Sequence, residues 1–168
     1  MMIMFCVLAA PHVAVAESAR SLAMSLGGFS GSDTSGIAIG IYSLRQKKVG
    51  WYINGTVSSD VDKDEDDDFR PIPEDIRVDE DTESTTVNIG LTLAIGPFAP
   101  YAGVGITQIS QFGLYRTSSD AFWYKDKDNT DNNLNVGMLL LLGGQVGLDL
   151  GANSANEEIV LGLSWRFQ

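Results

Sequence analysis

The chain has one cysteine and one histidine among its 168 residues, and both lie near the N-terminus, at Cys6 and His12. Residues 17–168 therefore contain no thiol and no imidazole. This absence excludes Ser-His and Cys-His catalysis, metal sites with Cys or His ligands, and disulfides from that part of the chain. A mechanism that uses carboxylates alone stays open. We predict that the protein is not an enzyme and that it binds no cofactor.

Positive charge is absent from the first 19 residues, because Arg20 is the first Lys or Arg. The first ten residues are nevertheless apolar, and Ala14-Val15-Ala16 matches the A-x-A pattern of signal-peptide cleavage. A membrane-spanning helix is a poor alternative, since Pro11 interrupts a run already shorter than the ~20 residues that a span needs. We therefore predict a signal peptide over residues 1–16 and one exported domain over residues 17–168.

Apolar side chains fall on every second residue in segment after segment. From Ile159 to Phe167 the odd-numbered residues are Ile, Leu, Leu, Trp and Phe, whereas the even-numbered ones are mostly small or polar. This period of two is typical of a strand whose outer face meets lipid. It predicts an all-β fold, an eight-stranded antiparallel up-and-down transmembrane β-barrel. The predicted strands are residues 20–29, 36–44, 49–59, 84–95, 100–112, 133–142, 145–151 and a terminal strand from 157.

The connections between these strands alternate between long and short. Those after odd strands are residues 30–35, 60–83, 113–132 and 152–156. Those after even strands are residues 45–48, 96–99 and 143–144. In an outer-membrane barrel with both termini in the periplasm, the odd connections are extracellular and the even ones are tight periplasmic turns. We therefore predict a bacterial outer-membrane location.

Aromatic residues concentrate near the ends of the predicted strands, which predicts one girdle at each membrane interface. The periplasmic girdle would contain Tyr42, Trp51, Tyr52, Phe98, Tyr101, Trp165 and Phe167. The girdle at or above the outer rim would contain Phe29, Phe112, Tyr115, Phe122, Trp123 and Tyr124.

Acidic residues are concentrated in one connection. Residues 60–83 hold 13 acidic and 3 basic side chains, a net charge of −10 against −11 for the whole chain. Alternating acids resemble the start of an EF-hand loop, although Glu65 stands where that loop needs glycine. We predict weak, non-selective binding of divalent cations by Asp60, Asp62, Asp64, Asp66 and Asp68. The alternative is a solvated acidic loop.

The interior of an eight-stranded barrel is just wide enough for side chains to fill, so an open diffusion pore is not expected. Strand parity predicts a hydrogen-bonded interior plug of Tyr52, Asn54, Asn88, Thr92, Gln145 and Asp149. The carboxylate of Asp149 needs a partner there, because an unpaired buried charge is unfavourable. The sequence pattern does not identify that partner.

The terminal stretch Gly162-Leu163-Ser164-Trp165-Arg166-Phe167 has a glycine followed by aromatic residues three and five positions later. Together with the architecture of residues 19–168, it resembles the small eight-stranded outer-membrane barrels typified by the OmpA transmembrane domain and OmpX. The resemblance implies that Gly162, Trp165 and Phe167 form the C-terminal β-signal read by the barrel-assembly machinery. Structural support of the membrane, adhesion and resistance to host or phage factors are the functions that it implies.

Two functional hypotheses remain open. In the first, the barrel is a non-enzymatic anchor, and residues 60–83 and 113–132 form a surface-interaction region. In the second, the barrel is a narrow transporter for small apolar molecules, with a side exit near the inward Leu139 and Leu141. The expected partners are outer-membrane lipid and lipopolysaccharide, the assembly machinery, and divalent cations or an extracellular partner. We expect no nucleic-acid partner.

Overall fold

The structure is a computed structural model that describes residues 21–58, 76–116, 121–142 and 145–167. Each strand pairs antiparallel with the next one along the chain, and the last strand pairs with the first, so that the sheet closes into a barrel. The described residues include no helix long and apolar enough to cross a membrane. The strands are β1 (Ser21–Ser30), β2 (Ser35–Leu44), β3 (Val49–Ser58), β4 (Ile76–Leu93), β5 (Phe98–Arg116), β6 (Ala121–Leu142), β7 (Val146–Asn153) and β8 (Glu158–Phe167). The predicted fold is therefore confirmed.

The apolar side chains of the strands lie on the outside of the barrel. Large apolar side chains that are between 37% and 68% exposed surround it, whereas much of the inside is Ser, Thr, Asn and Tyr. A protein in water buries its apolar side chains, so this inverted arrangement fits a barrel whose outer surface is covered by lipid. We call this surface the apolar band, and it includes Leu26, Ile39, Ile53, Ile89, Leu91, Val104, Leu134, Leu150, Leu161 and Leu163.

Three consecutive strands are longer than the sequence pattern predicts. β4, β5 and β6 have 18, 19 and 22 residues, and the other strands have 8 to 10. Much of the predicted loops 60–83 and 113–132 is therefore strand, namely residues 76–83, 113–116 and 121–132. The prediction failed because strand segments that project beyond the lipid need no apolar outer face, so the alternation that marks the other strands stops there.

The projecting segments form a three-stranded sheet at the end of the barrel away from the chain termini. We define this extracellular sheet as residues 76–83, 108–116 and 121–130. Its ladder contains two irregularities, one between Arg77 and Asp79 and the other between Gln111 and Phe112. At roughly 3.3 Å per residue, the extra nine residues of β5 add about 30 Å of strand. The barrel therefore supports a sheet above the membrane surface.

The predicted aromatic girdles are only partly correct. Trp51, Phe98, Trp165 and Phe167 are exposed near the periplasmic end and form that girdle. The other three predicted members, Tyr42, Tyr52 and Tyr101, are only 0%, 0% and 4% exposed. Phe29 and Phe112, which were predicted for the outer girdle, are also buried. The error arose because nearness to a strand end does not fix the face of the strand to which a ring belongs.

Candidate functional site

Three tyrosines fill the periplasmic half of the barrel interior. The ring centroids of Tyr42 and Tyr52 lie 5.7 Å apart, and the Tyr101 ring lies 5.2 Å from Tyr42 and 4.9 Å from Tyr52. Leu139 and Leu141 are buried in the same apolar cluster. Leu139 and Leu141 therefore contribute to a packed core, and the side exit predicted beside them is not present among the described residues.

Glycines on the facing strands make room for these rings. A β-carbon on Gly90 would lie 2.5 Å from Cε1 of Tyr52, and one on Gly103 would lie 2.5 Å from the Tyr52 hydroxyl. A β-carbon on Gly137 would overlap the ring of Tyr101. Because real β-carbons do not approach other atoms so closely, the tyrosine cluster depends on glycine at these inward positions.

The partners of Asp149 are two of the tyrosines. The Tyr42 hydroxyl donates to Oδ2 of Asp149 at 2.6 Å, and the Tyr101 hydroxyl donates to Oδ1 at 2.9 Å. Asp149 is 2% exposed, and no described cation forms an ion pair with it. A buried carboxylate is thus held by two neutral donors from β2 and β5. The signal that identifies them is their inward parity, which the sequence analysis used only for Tyr52.

An asparagine network continues from the tyrosines toward the extracellular end. Tyr52 donates to Oδ1 of Asn135 at 2.7 Å, and Asn135 donates to Oδ1 of Asn153 at 2.8 Å. Asn88 donates to Asn54 at 2.9 Å and accepts from Asn133 at 2.7 Å. The inward prediction for Tyr52, Asn54, Asn88 and Thr92 is confirmed, and Thr92 donates to the carbonyl of Ser43. The inward prediction for Gln145 is wrong, because that residue is exposed in the turn that precedes β7.

Glu158 is a second interior carboxylate that sequence reasoning missed. It is 1% exposed and accepts hydrogen bonds from Asn153 at 2.7 Å, Thr56 at 2.9 Å and Ser84 at 3.2 Å. It lies at the start of β8 on the same face as the buried Val160 and Ser164, and this inward parity is the signal that identifies it. Three donors from β7, β3 and β4 converge on it, so Glu158 ties together strands on different sides of the barrel.

The described part of the barrel leaves almost no interior space. One cavity of about 10 Å³ lies beside Tyr42, Asn54, Thr56 and Asp149, which is about the minimum volume that holds one water. Larger hollows of about 640 and 720 Å³ lie on the outer surface, among side chains such as Ile89 and Val104 in one case and Ile159 in the other. The geometry is that of a filled barrel.

Side-chain contacts connect all three strands of the extracellular sheet. Arg77 Nη2 lies 3.2 Å from Oδ2 of Asp126, and the Tyr115 hydroxyl donates to Oδ1 of the same residue at 2.8 Å. This hydrogen bond raises the pKa of Tyr115 above its ordinary value. The ammonium of Lys125 lies 5.4 Å from the centroid of the Phe112 ring. These contacts hold β4, β5 and β6 together above the barrel.

No protein-family model matches the sequence, and no curated protein matches it. Solved structures do match the fold. Ail, the attachment invasion locus protein of Yersinia pestis, superposes with a TM-score of 0.57 at 13% identity, over 89% of this chain and 97% of that one. A second structure of Ail, in complex with the heparin analogue sucrose octasulfate, gives a TM-score of 0.54 at 11% identity over the same shares.

The N-terminal β-barrel domain of Pseudomonas aeruginosa OprF gives a TM-score of 0.50 at 13% identity, over 89% of this chain and 99% of that one. The chain has the fold of the small eight-stranded outer-membrane β-barrels. The fold and the apolar band together place it in a bacterial outer membrane.

The residues of the predicted assembly signal lie along the seam that closes this outer-membrane barrel. Gly162 pairs with Gly27 across the β1–β8 seam, where a side chain on Gly27 would overlap the backbone of β8. Trp165 and Phe167 pair with Met24 and Leu22, and both rings face lipid. Both rings thus lie at the periplasmic rim, while their role in assembly stays a prediction.

Outside the described residues lie the five predicted cation ligands, Asp60, Asp62, Asp64, Asp66 and Asp68. Within the described ranges, no group of three or more Asp, Glu, His or Cys side chains is arranged to hold a metal ion. Cation binding by residues 60–68 stays a prediction from the sequence.

Proposed function

We propose that this outer-membrane barrel is a non-enzymatic surface-interaction protein, in which the barrel anchors the extracellular sheet and the acidic segment 60–83. The observation that carries the proposal is the unequal length of the strands. Within the described residues, only β4, β5 and β6 continue beyond the lipid, and Arg77, Tyr115 and Asp126 bind their projecting segments to one another. A structure of this kind above the membrane has no role in a simple anchor, but it suits contact with a partner.

The barrel interior supports an anchoring role. The tyrosine cluster and the asparagine network occupy the space that a solute would need, and the remaining cavity has room for about one water. Residues 17–168 also lack the Cys and His side chains on which most hydrolytic sites depend. No observation favours transport of apolar molecules over surface interaction.

The charge of the extracellular end favours a basic partner, or a partner reached through bridging divalent cations. Residues 60–83 carry a net charge of −10, and the extracellular sheet contains six acidic and four basic side chains. Ail has been crystallised with a sulfated, polyanionic heparin analogue. A polyanion would be repelled by this acidic surface, so we propose a different ligand chemistry for this chain.

The name of Ail describes attachment for that protein, so the proposal is tested by measuring attachment by this chain. Ser110 pairs directly with Asp128, so residues 111–127 can be replaced by Asn-Gly as a two-residue hairpin turn. Bacteria that express the wild-type chain should attach to cultured epithelial cells or to one another, and soluble polylysine should compete where heparin does not. The shortened chain should lose this attachment, whereas Glu157→Gln, which removes a charge from the β7–β8 turn, should keep it.

Folding of each variant is checked by the mobility shift between boiled and unboiled samples, and conductance is measured in planar bilayers. Equal attachment by the wild-type and the folded shortened chain would contradict the proposal. Stepwise conductance by the wild-type chain would favour the transport hypothesis instead.

A further inference from the structure

The periplasmic end of the barrel carries positive charge with no exposed Asp or Glu beside it among the described residues. Arg45, Lys47 and Lys48 are exposed in the turn between β2 and β3, and Arg166 lies near the end of β8. We call these four residues the basic rim. None of them forms an ion pair within the described structure, and the exposed acidic side chains of that structure, such as Glu80, Asp126 and Glu157, lie toward the extracellular end. In addition, Nε of Arg166 is buried without a hydrogen-bond partner.

The turn that carries three of these cations is fixed to its neighbour. The side-chain amide of Gln46 donates to the carbonyl of Gly96 at 3.2 Å and accepts from the Gly96 amide at 3.3 Å. The backbone amide of Lys47 also donates to the carbonyl of Ala94 at 2.9 Å. The β2–β3 turn is thus docked against the β4–β5 turn, so the three cations are held as a cluster.

Lys47 occupies a backbone conformation that lysine rarely adopts. Its φ of 55° lies in the left-handed region, where glycine and asparagine are the usual residues. A glycine would serve the turn with less strain. A lysine at this position is better explained by the charge that it presents than by the conformation of the turn.

The basic rim lies at the depth of the lipid headgroups. Lys48 directly precedes Val49, and both Val49 and Trp51 are exposed on the apolar band. On the adjoining turn, Ile95 and Phe98 are exposed as well. The strand from Lys48 to Trp51 spans about 10 Å. Each headgroup layer is roughly 5–8 Å thick. The cations therefore begin where the hydrocarbon ends.

We propose that the basic rim binds the headgroups of anionic phospholipids in the periplasmic leaflet. The bound group is a phosphodiester with a net negative charge, and the clamped turn presents three cations to it beside the aromatic girdle. The cell wall is a less suitable partner, because the turn is only four residues long and ends within the headgroup layer, well short of the periplasmic space. The proposal does not depend on the function of the extracellular sheet.

Trp51 and Trp165 allow the proposal to be tested, since both face lipid near the basic rim. The folded chain is reconstituted in vesicles of phosphatidylcholine with phosphatidylglycerol, and one of the two lipids carries brominated acyl chains. Quenching of tryptophan fluorescence then gives the relative affinity of the lipid sites for the two headgroups. The test variant is R45Q/K47Q/K48Q. The matched control is R116Q/K125Q/K127Q, which removes three cations from the extracellular sheet.

We expect the wild-type chain and the control to favour phosphatidylglycerol by at least about fivefold at low salt, because each basic residue near an anionic surface contributes roughly that much. The test variant should show no preference, and 0.5 M NaCl should abolish the preference in all chains, since salt screens exposed charges (a Debye length of about 4 Å at that concentration). Heat-dependent gel mobility establishes that each chain is folded.

Two results would overturn the proposal. One is a wild-type chain without headgroup preference, and the other is a test variant that keeps the full preference. Cosedimentation with purified peptidoglycan provides the comparison with the cell wall. If the wild-type chain shows no lipid preference but sediments with peptidoglycan, and the test variant does not, then the basic rim binds the cell wall and the membrane assignment is wrong.

Discussion

Removal of the hydroxyl groups around Asp149 tests whether the barrel interior stabilises a carboxylate with neutral donors alone. Tyr42→Phe and Tyr101→Phe each keep an aromatic ring in the cluster and delete one hydrogen bond to Asp149, of 2.6 and 2.9 Å. A hydrogen bond to a charged group contributes about 1.5–3 kcal/mol to stability. Each single variant should therefore lower the free energy of unfolding by about 2 kcal/mol.

The double variant should lose about as much stability as the two single variants together. With one hydroxyl present, the carboxylate keeps one donor, but with neither it is a buried charge without a partner among the described residues. Breaking a buried charged pair typically costs about 3–5 kcal/mol, so the double variant should lose at least that much. Asp149→Asn in the same double variant removes the charge and should recover part of the loss.

Tyr52→Phe is the matched control, because the Tyr52 hydroxyl donates at 2.7 Å to the neutral Asn135. Its loss should cost about 1 kcal/mol. The measurement is equilibrium urea unfolding of the refolded barrel in lipid vesicles, followed by tryptophan fluorescence. The reasoning is refuted if the double variant loses no more stability than Tyr52→Phe, or if Asp149→Asn recovers none of the loss.

Three further predictions concern the lipid surface, the assembly signal and the acidic loop. Leu91→Arg on the apolar band should lower the free energy of unfolding in vesicles by about 2–4 kcal/mol, while Thr130→Arg on the exposed extracellular sheet should change it little. Similar small losses in both variants would contradict a lipid-facing band. Replacing both Trp165 and Phe167 with Ser should permit export but reduce the amount of barrel in isolated outer membranes, and unchanged levels would contradict a role in assembly. Calorimetric titration should give a dissociation constant for calcium no lower than about 10⁻⁴ to 10⁻³ M. The binding should be lost when Asn replaces Asp60, Asp62, Asp64, Asp66 and Asp68. Tight binding, or binding that survives these changes, would place the cation site elsewhere.

The sequence by itself determined that the fold is a barrel, that it has eight strands and that the last strand ends on the periplasmic side. Lipid imposes a rule that can be read locally, since each residue that faces hydrocarbon must be apolar and its neighbours in the strand must face inward. Every backbone polar group within the bilayer also needs a partner, which a closed barrel supplies. The alternation from Val87 to Ile95 thus carried enough information to identify β4 within the membrane.

Only the tertiary structure decided what the inward side chains contact and where the long strands end. Asp149 is 107 residues from Tyr42 and 48 residues from Tyr101, and no local pattern connects positions so far apart. The break in alternation at Leu139 likewise makes sense only when the tyrosine cluster packed against it is known. Beyond the lipid, β4, β5 and β6 are held by backbone ladders and by contacts such as Arg77 with Asp126. Water accepts polar residues on either face of those strands, and the sequence there loses the pattern that the membrane imposes elsewhere.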